Sequence, residues 1–117
     1  MNTPIHIIIQ WIHVLVIAPL FIYIALRRTK VKQIVYPITL IIGLVVILYH
    51  GYKITKNPRW GHIYLLHILV IAPSLLAVGY YKEKTNYMVY DYLLLLGCAA
   101  LGYNLLKLYP TYYPSTN

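Results

Sequence analysis

The sequence contains very few acidic residues and almost no cysteine. Glu83 and Asp91 are its only carboxylate side chains among 117 residues, and Cys98 is its only cysteine. A lone cysteine forms no intrachain disulfide, and no cysteine–histidine spacing typical of a zinc site is present. The sequence also has no Ser–His–Asp set, no HExxH helix, no phosphate-binding loop and no pair of acids within an apolar run. It therefore gives little support for an enzyme.

Charge of either sign is scarce throughout the chain. Only 10% of the residues are charged and 61% are hydrophobic, with a mean hydropathy of +0.67, whereas a soluble domain carries about 25% charged residues. Runs of about 20 apolar residues, the length of helix that crosses a bilayer, occur at Ile5–Leu26, Ile34–Tyr52, Gly61–Tyr81 and Met88–Leu108. The sequence predicts an all-α transmembrane four-helix bundle, with one domain over residues 1–109 and a short polar tail over 110–117.

The net charge of +8 comes from basic residues that lie outside the centres of these runs. On one predicted side of the membrane are Arg27, Arg28, Lys30, Lys32, Lys82 and Lys84. On the other side are Lys53, Lys56, Arg59 and Lys107. Because cytoplasmic loops are enriched in lysine and arginine, the bias favours residues 27–33 and 82–87 as cytoplasmic, with both termini on the opposite side. Charges spread over two faces indicate contact with the lipid bilayer and no nucleic-acid partner.

The chain contains an internal repeat with an offset of 54 residues. The segment HVLVIAP at residues 13–19 returns as HILVIAP at residues 67–73. An ungapped alignment of residues 4–53 with 58–107 has 15 identities in 50 positions, against about four expected from this composition. Each repeat holds two spans, so we expect parallel tandem hairpins related by a pseudo-two-fold axis along the membrane normal. In that arrangement His13 and His67 lie at equal depth and are candidate partners.

A proline recurs inside the first and third spans, at Pro19 and Pro73. Proline lacks the N–H that would bond to the carbonyl four residues earlier, and its ring clashes with that carbonyl. The sequence therefore predicts a helix kink about one turn beyond each of the two repeated histidines.

Few polar side chains fall inside the spans, so each is a candidate for a binding or transfer site. His6, Gln10 and His13 share one face of the first helix, and Trp60, Tyr64 and His67 occupy the equivalent positions in the third. The candidate residues for a pathway or a ligand site are His13, His67, His50, Tyr64, Gln10, Asn104 and Ser74. Asn104 is the counterpart of His50, because each follows a tyrosine at the equivalent place in its repeat.

Three functions are compatible with these residues. The histidines and Tyr64 could line a cavity that conducts protons or small ions, because histidine titrates near neutral pH. Alternatively, His13 and His67 could be the axial ligands of a b-type haem, with Arg59 and Lys56 close to its propionates. In the third interpretation, the chain is a structural or assembly protein whose histidines stabilise packing.

One acid lies within a predicted span. Asp91 is about one turn into the fourth run, on the more basic side, and its candidate partners are Arg27, Arg28 and Lys82. We expect such a charge pair, because an unpaired carboxylate at that depth is costly. A chain of this length makes only a thin bundle, so we also expect a homo-oligomer.

Three short segments carry a family resemblance: WIHVLVIAP at residues 11–19, YHGY at 49–52 and LGCAALGY at 96–103. Together they resemble a group of small four-span membrane proteins encoded by giant DNA viruses. The resemblance implies a viral or host-derived membrane and implies no activity. In that group a histidine often follows the tyrosine of the fourth span, whereas Asn104 stands there in this chain. That departure argues against a site of four histidines.

Overall fold

A computed structural model describes residues 4–113, and this part of the chain is helical with no strand. Its four long helices are α1 (Pro4–Lys30), α2 (Val35–Lys56), α3 (Pro58–Lys84) and α4 (Tyr87–Tyr112). The shortest, α2, has 22 residues and is therefore about 33 Å long, enough to cross the hydrocarbon core. All four are long and apolar enough to span a membrane. The prediction of an all-helical chain with four membrane-compatible helices is confirmed.

Helices α1 and α3 are not uniform α-helices. The segments of α1 are Pro4–Ile12 (α), His13–Ile17 (π), Ala18–Arg27 (α) and Arg28–Lys30 (3₁₀). Those of α3 are Pro58–Trp60 (3₁₀), Gly61–Leu66 (α), His67–Ile71 (π), Ala72–Tyr81 (α) and Lys82–Lys84 (3₁₀). The first residue of each terminal 3₁₀ turn has a positive φ, 54° at Arg28 and 53° at Lys82. The π segments lie 54 residues apart, and so do the terminal 3₁₀ turns.

Each π segment ends just before a repeated proline. The backbone N–H of Ala18, the residue before Pro19, donates to the carbonyl of His13 five residues back. Ala72, before Pro73, donates in the same way to the carbonyl of His67. A π turn is one of the recognised causes of a helix bend and is frequent at functional sites. Each proline is thus preceded by a wider π turn that begins at the histidine, and the kink itself stays a prediction.

The chain divides into two compact units. Unit 1 consists of the described parts of Met1–Leu26 and Leu93–Asn117, and unit 2 is Arg27–Tyr92. In unit 1 the first helix packs against the fourth at Gly97, where a Cβ atom would lie 2.9 Å from Ile22 Cγ1. Small residues permit such close helix contacts in membranes.

Unit 2 is built on the hairpin of α2 and α3. Only Asn57 separates the two helices, and its N–H donates to the carbonyl of Lys53 at 2.8 Å. Pro58 follows in the first turn of α3, where its missing N–H costs nothing. The buried residues of α2 form one stripe, made of Tyr36, Thr39, Gly43 and His50. Of these, Gly43 and His50 contact α3.

The other end of unit 2 is held by polar contacts between its two connections. The Gln33 amide donates to the Glu83 carboxylate at 2.6 Å. Arg28 forms an ion pair with Asp91 at 3.3 Å and lies over the Tyr87 ring, 5.2 Å from its centroid. Of the three partners considered for Asp91, the structure places Arg28 against it. Both side chains are largely exposed, so the pair adds about 0–1 kcal/mol to stability.

The helices present large apolar side chains on their outer faces. Leu48, Leu69 and Leu106, for example, are 73%, 68% and 75% exposed. A surface of this kind suits lipid tails, and lysines near the helix ends lie over tyrosines one turn away, as Lys53 does over Tyr49. The final helix continues through Pro110 to Tyr112, and residues 114–117 of the predicted tail lie outside the described residues.

Candidate functional site

Most polar side chains within the helices bond to their own backbone. Thr39 and Ser74 donate to the carbonyls of Val35 and Val70 at 2.7 and 2.8 Å, and Asn104 donates to that of Ala100 at 2.7 Å. Each acceptor lies four residues earlier. A side chain satisfied in this way is tolerated inside a membrane. Ser74 and Asn104, two of the sequence-predicted site residues, are therefore accounted for by local hydrogen bonding.

Three histidines make the same kind of hydrogen bond to a carbonyl one turn back, through the Nδ1 atom of the ring. The Nδ1 atoms of His13, His50 and His67 each lie 2.8 Å from the carbonyl oxygen four residues earlier. A carbonyl only accepts, so Nδ1 carries the proton and donates. In the neutral ring this assigns the accepting lone pair to Nε2. In the neutral form all three rings therefore have the same tautomer, with the proton on Nδ1.

Two of these rings form a stacked pair inside unit 2. His50 on α2 and His67 on α3 have ring centroids 4.1 Å apart and planes 13° apart. His50 is only 8% exposed, and the bond from His67 to Ile63 is partly buried. The structure thus adds a contact between His50 and His67 that the sequence analysis did not specify, and the pairing of His13 with His67 stays a prediction. The stacked His50–His67 pair is the candidate site.

The pair is held in place by the close contact of α2 with α3. A Cβ atom added to Gly43 would lie 3.0–3.3 Å from atoms of Leu75 and Leu76. Two helical turns of α2 separate Gly43 from His50, and the two helices run in opposite directions from their connection at Asn57. The narrow glycine contact therefore sets the spacing at which the two imidazole rings meet.

Tyrosines surround one side of the stacked pair. The Tyr64 ring centroid lies 6.0 Å from that of His50, and the Tyr49 ring meets His50 edge-on at 5.2 Å. Lys53 lies over the outer face of Tyr49, 5.7 Å from its centroid. The pair thus has aromatic neighbours within the hairpin and a cation one turn further toward the helix end.

The stacked pair lies inside the membrane-compatible part of the hairpin. His50 is six residues before the end of α2 and His67 nine residues after the start of α3. These separations correspond to about 9 Å and about 14 Å of helix. An ionisable pair at this depth is costly in a bilayer and for that reason indicates function.

His13 and Gln10, two of the predicted residues of unit 1, lie on the first helix. His13 is partly buried and bonded to Ile9, and Gln10, one turn from His6, is half-buried. The Gln10 Oε1 atom is buried without a hydrogen-bond partner in the described part of the chain. No group of three or more His, Cys, Asp or Glu side chains within residues 4–113 could hold a metal ion.

The structure also reveals two buried residues that were not among the sequence-predicted site residues. Tyr36 and Tyr90 are both 0% exposed, and neither hydroxyl has a hydrogen-bond partner within the described residues. Both belong to unit 2, and they occupy equivalent positions in the sequence repeat. The identity of these two tyrosines across the repeat could have identified them in the sequence. It was not used, because tyrosine is abundant at membrane interfaces and an interfacial position was the simpler interpretation.

No protein-family model, curated protein or solved structure matches this chain, so the case for its function rests on the geometry of the site.

Proposed function

We propose that the chain is an integral membrane protein that conducts protons or other small ions through a site lined by histidine and tyrosine. The observation that carries the proposal is the stacked His50–His67 pair, with ring centroids 4.1 Å apart within a membrane-compatible hairpin. Neighbouring Tyr64 and Tyr49 complete the lining. The residues in the pathway are His50 and His67, with Tyr64 beside them.

The pair is suited to holding one proton at a time. A proton that binds Nε2 of one ring creates a cation beside the π face of the other, which is an attractive arrangement. A second proton would place two cations 4.1 Å apart, and their repulsion is about 4 kcal/mol at an effective dielectric constant of 20. A site that accepts a first proton and resists a second can load and release protons in turn.

The fold proposed for this function is a bundle of two parallel hairpin repeats with a pseudo-two-fold axis along the membrane normal. Features that recur at 54 residues support the repeat: the π segments, the positive φ angles at Arg28 and Lys82, and the histidine Nδ1 bonds. His50 and Asn104 also correspond, and both are 8% exposed and bonded to a carbonyl one turn back. The two repeats thus place different side chains, an imidazole and an amide, at structurally similar positions.

A flux assay in liposomes tests conduction. Replacing His67 by asparagine removes the ring but retains an amide that can donate to the same carbonyl, as Asn104 does. We expect proton flux under an imposed pH gradient to fall by roughly 100-fold, because a positioned proton acceptor contributes at least that factor to a transfer step. The matched control is His62→Asn, which makes the same change at an exposed ring and is expected to leave flux unchanged.

Flux through His67→Asn equal to that of the unaltered protein would contradict the proposal. Equal loss in His67→Asn and His62→Asn would also contradict it, because the effect would then not depend on the stacked pair. An unaltered protein that conducts no ion would favour the structural or assembly function.

A second candidate function is the binding of a b-type haem by His13 and His67. It is favoured by one observation: both rings donate Nδ1–H to a carbonyl at 2.8 Å, the contact that orients metal-ligating histidines through Nε2. We expect haem-supplemented protein to show a Soret band and sharp reduced α and β bands if it binds haem, both lost on His13→Ala. Protein that stays colourless with dithionite and added haem would exclude this function.

Three further proposals concern the setting of the protein. Residues 27–33 and 82–87 are proposed to be cytoplasmic, on the basis of their six basic residues. A viral or host-derived membrane is proposed on the basis of the resemblance to proteins of giant DNA viruses. The exposed apolar faces of the helices are suited to a homo-oligomer as well as to lipid.

A further inference from the structure

We propose that the basic end of unit 2 binds the headgroup of an anionic phospholipid. This basic end consists of the two 3₁₀ turns Arg28–Lys30 and Lys82–Lys84, together with Lys32. The two turns contact each other, with Cα atoms of one lying within 8 Å of Cα atoms of the other. The fold therefore joins into one cluster two groups of cations that are 54 residues apart in the sequence.

Buried residues and a hydrogen bond hold the two turns in place. Val31 and Thr85 directly follow the turns, at equivalent positions of the repeat, and both are buried. The Gln33 amide donates to the Glu83 carboxylate at 2.6 Å and thereby links the two connections. The cations thus extend from a surface that is already formed, which lowers the cost of binding a ligand.

Two carboxylates lie near this cluster and offset only part of its charge. Asp91 pairs with Arg28 at 3.3 Å, and Glu83 accepts the hydrogen bond from Gln33. The lysines of the cluster are exposed and form no ion pair within residues 4–113: Lys30, Lys32, Lys82 and Lys84. Their ammonium groups are therefore available to an anion from outside the chain.

Two of the cations occupy positions that are unfavourable for their backbone. Arg28 and Lys82 begin the turns with φ angles of 54° and 53°, a region that glycine adopts more readily than any residue with a Cβ atom. Both repeats nevertheless have a basic side chain there. Strain that recurs at equivalent positions points to a function of the side chain itself, and positive charge is what these two side chains share.

The position of the cluster favours a lipid over a soluble anion. The turns are the ends of two membrane-compatible helices, and exposed tyrosines flank them at Tyr80, Tyr81 and Tyr87. Tyrosine is enriched at the level of the lipid headgroups, so the ammonium groups and the headgroup phosphates lie at the same depth. Clusters of lysine and arginine at this level attract anionic lipids. The inference does not rest on conduction or on which side of the membrane is cytoplasmic.

Thermal unfolding of the purified protein in a non-ionic detergent, with short-chain lipids added, tests the proposal. A lipid that binds the folded protein raises its unfolding temperature by mass action. We expect dioctanoyl-phosphatidylglycerol to raise it, and dioctanoyl-phosphatidylcholine, which has the same chains but no net charge, to have a much smaller effect. In Lys30→Gln with Lys84→Gln, the phosphatidylglycerol concentration for half the shift rises about 25-fold, because each cation contributes about fivefold.

The matched control is Lys53→Gln with Lys56→Gln, which removes the same charge from the other end of α2, where both lysines lie over tyrosine rings. We expect it to respond to phosphatidylglycerol as the unaltered protein does. Equal responses to the two lipids, or equal losses in the two double variants, would overturn the proposal. An equal shift with inorganic phosphate or a polyglutamate peptide would also overturn it, because the ligand would then not be a lipid. Ion flux is not involved, so failure here is distinct from failure of the conduction proposal.

Discussion

Gly79→Ala lowers the stability of the protein by about 1–3 kcal/mol, the usual cost of overpacking a close contact. A Cβ atom at this position would lie 2.8 Å from Leu40 Cβ, 2.9 Å from its backbone nitrogen and 3.0 Å from its Cα. Backbone atoms of a membrane helix cannot move aside as a flexible side chain can, so α2 and α3 must separate. The measurement is the free energy of unfolding in detergent, followed by the loss of helical circular dichroism.

The control for this prediction is Gly51→Ala in the adjoining helix. No heavy atom lies within 4 Å of a Cβ built at Gly51, and alanine favours a helix over glycine by roughly 0.5–1 kcal/mol. We therefore expect Gly51→Ala to be neutral or stabilising. Equal stability of Gly79→Ala and Gly51→Ala would show that the two helices do not meet at Leu40.

His50→Asn abolishes most of the proton flux while leaving the fold intact. The second repeat already contains this side chain at the equivalent place, where Asn104 is 8% exposed and donates to Ala100. Asparagine at position 50 can therefore replace the bond to the Val46 carbonyl, now 2.8 Å from the His50 Nδ1. It removes the ring that stacks on His67 and the nitrogen that accepts a proton. We expect flux to fall by roughly 100-fold.

The same variant separates conduction from a purely structural role. Unfolding temperature and flux are measured on the same preparation, so a loss of folded protein cannot be mistaken for a loss of transfer. A lowered unfolding temperature with unchanged flux per folded molecule would assign the stacked pair to packing. Unchanged values of both would show that His50 contributes to neither.

The membrane-compatible helices could be predicted because a run of about 20 apolar residues suits a lipid environment and not water. The predicted run Ile5–Leu26 lies within α1, Ile34–Tyr52 begins one residue before α2, and the other two runs lie within α3 and α4. The observed helices extend further at almost every end. The second predicted run stops before Lys53, whereas Lys53 continues the helix and lies over Tyr49, one turn back.

The candidate site was predicted only in part. Each repeated histidine was identified from its sequence position, and the structure adds the backbone bond that assigns its tautomer. The stacking of His50 on His67 was not predicted, because the repeat draws attention to equivalent residues and these two are not equivalent. Tyr36 and Tyr90 were missed for another reason: a sequence cannot distinguish a tyrosine at the lipid interface from one whose hydroxyl is buried.

The amino-acid sequence by itself determined the number of membrane-compatible helices and their approximate extent, because these depend on local hydrophobicity. Only the tertiary structure decided which polar groups meet. That outcome depends on the packing of α2 against α3, which meet closely at Gly43 and Gly79. The same contacts bring the rings of His50 and His67 to 4.1 Å and exclude solvent from Tyr36.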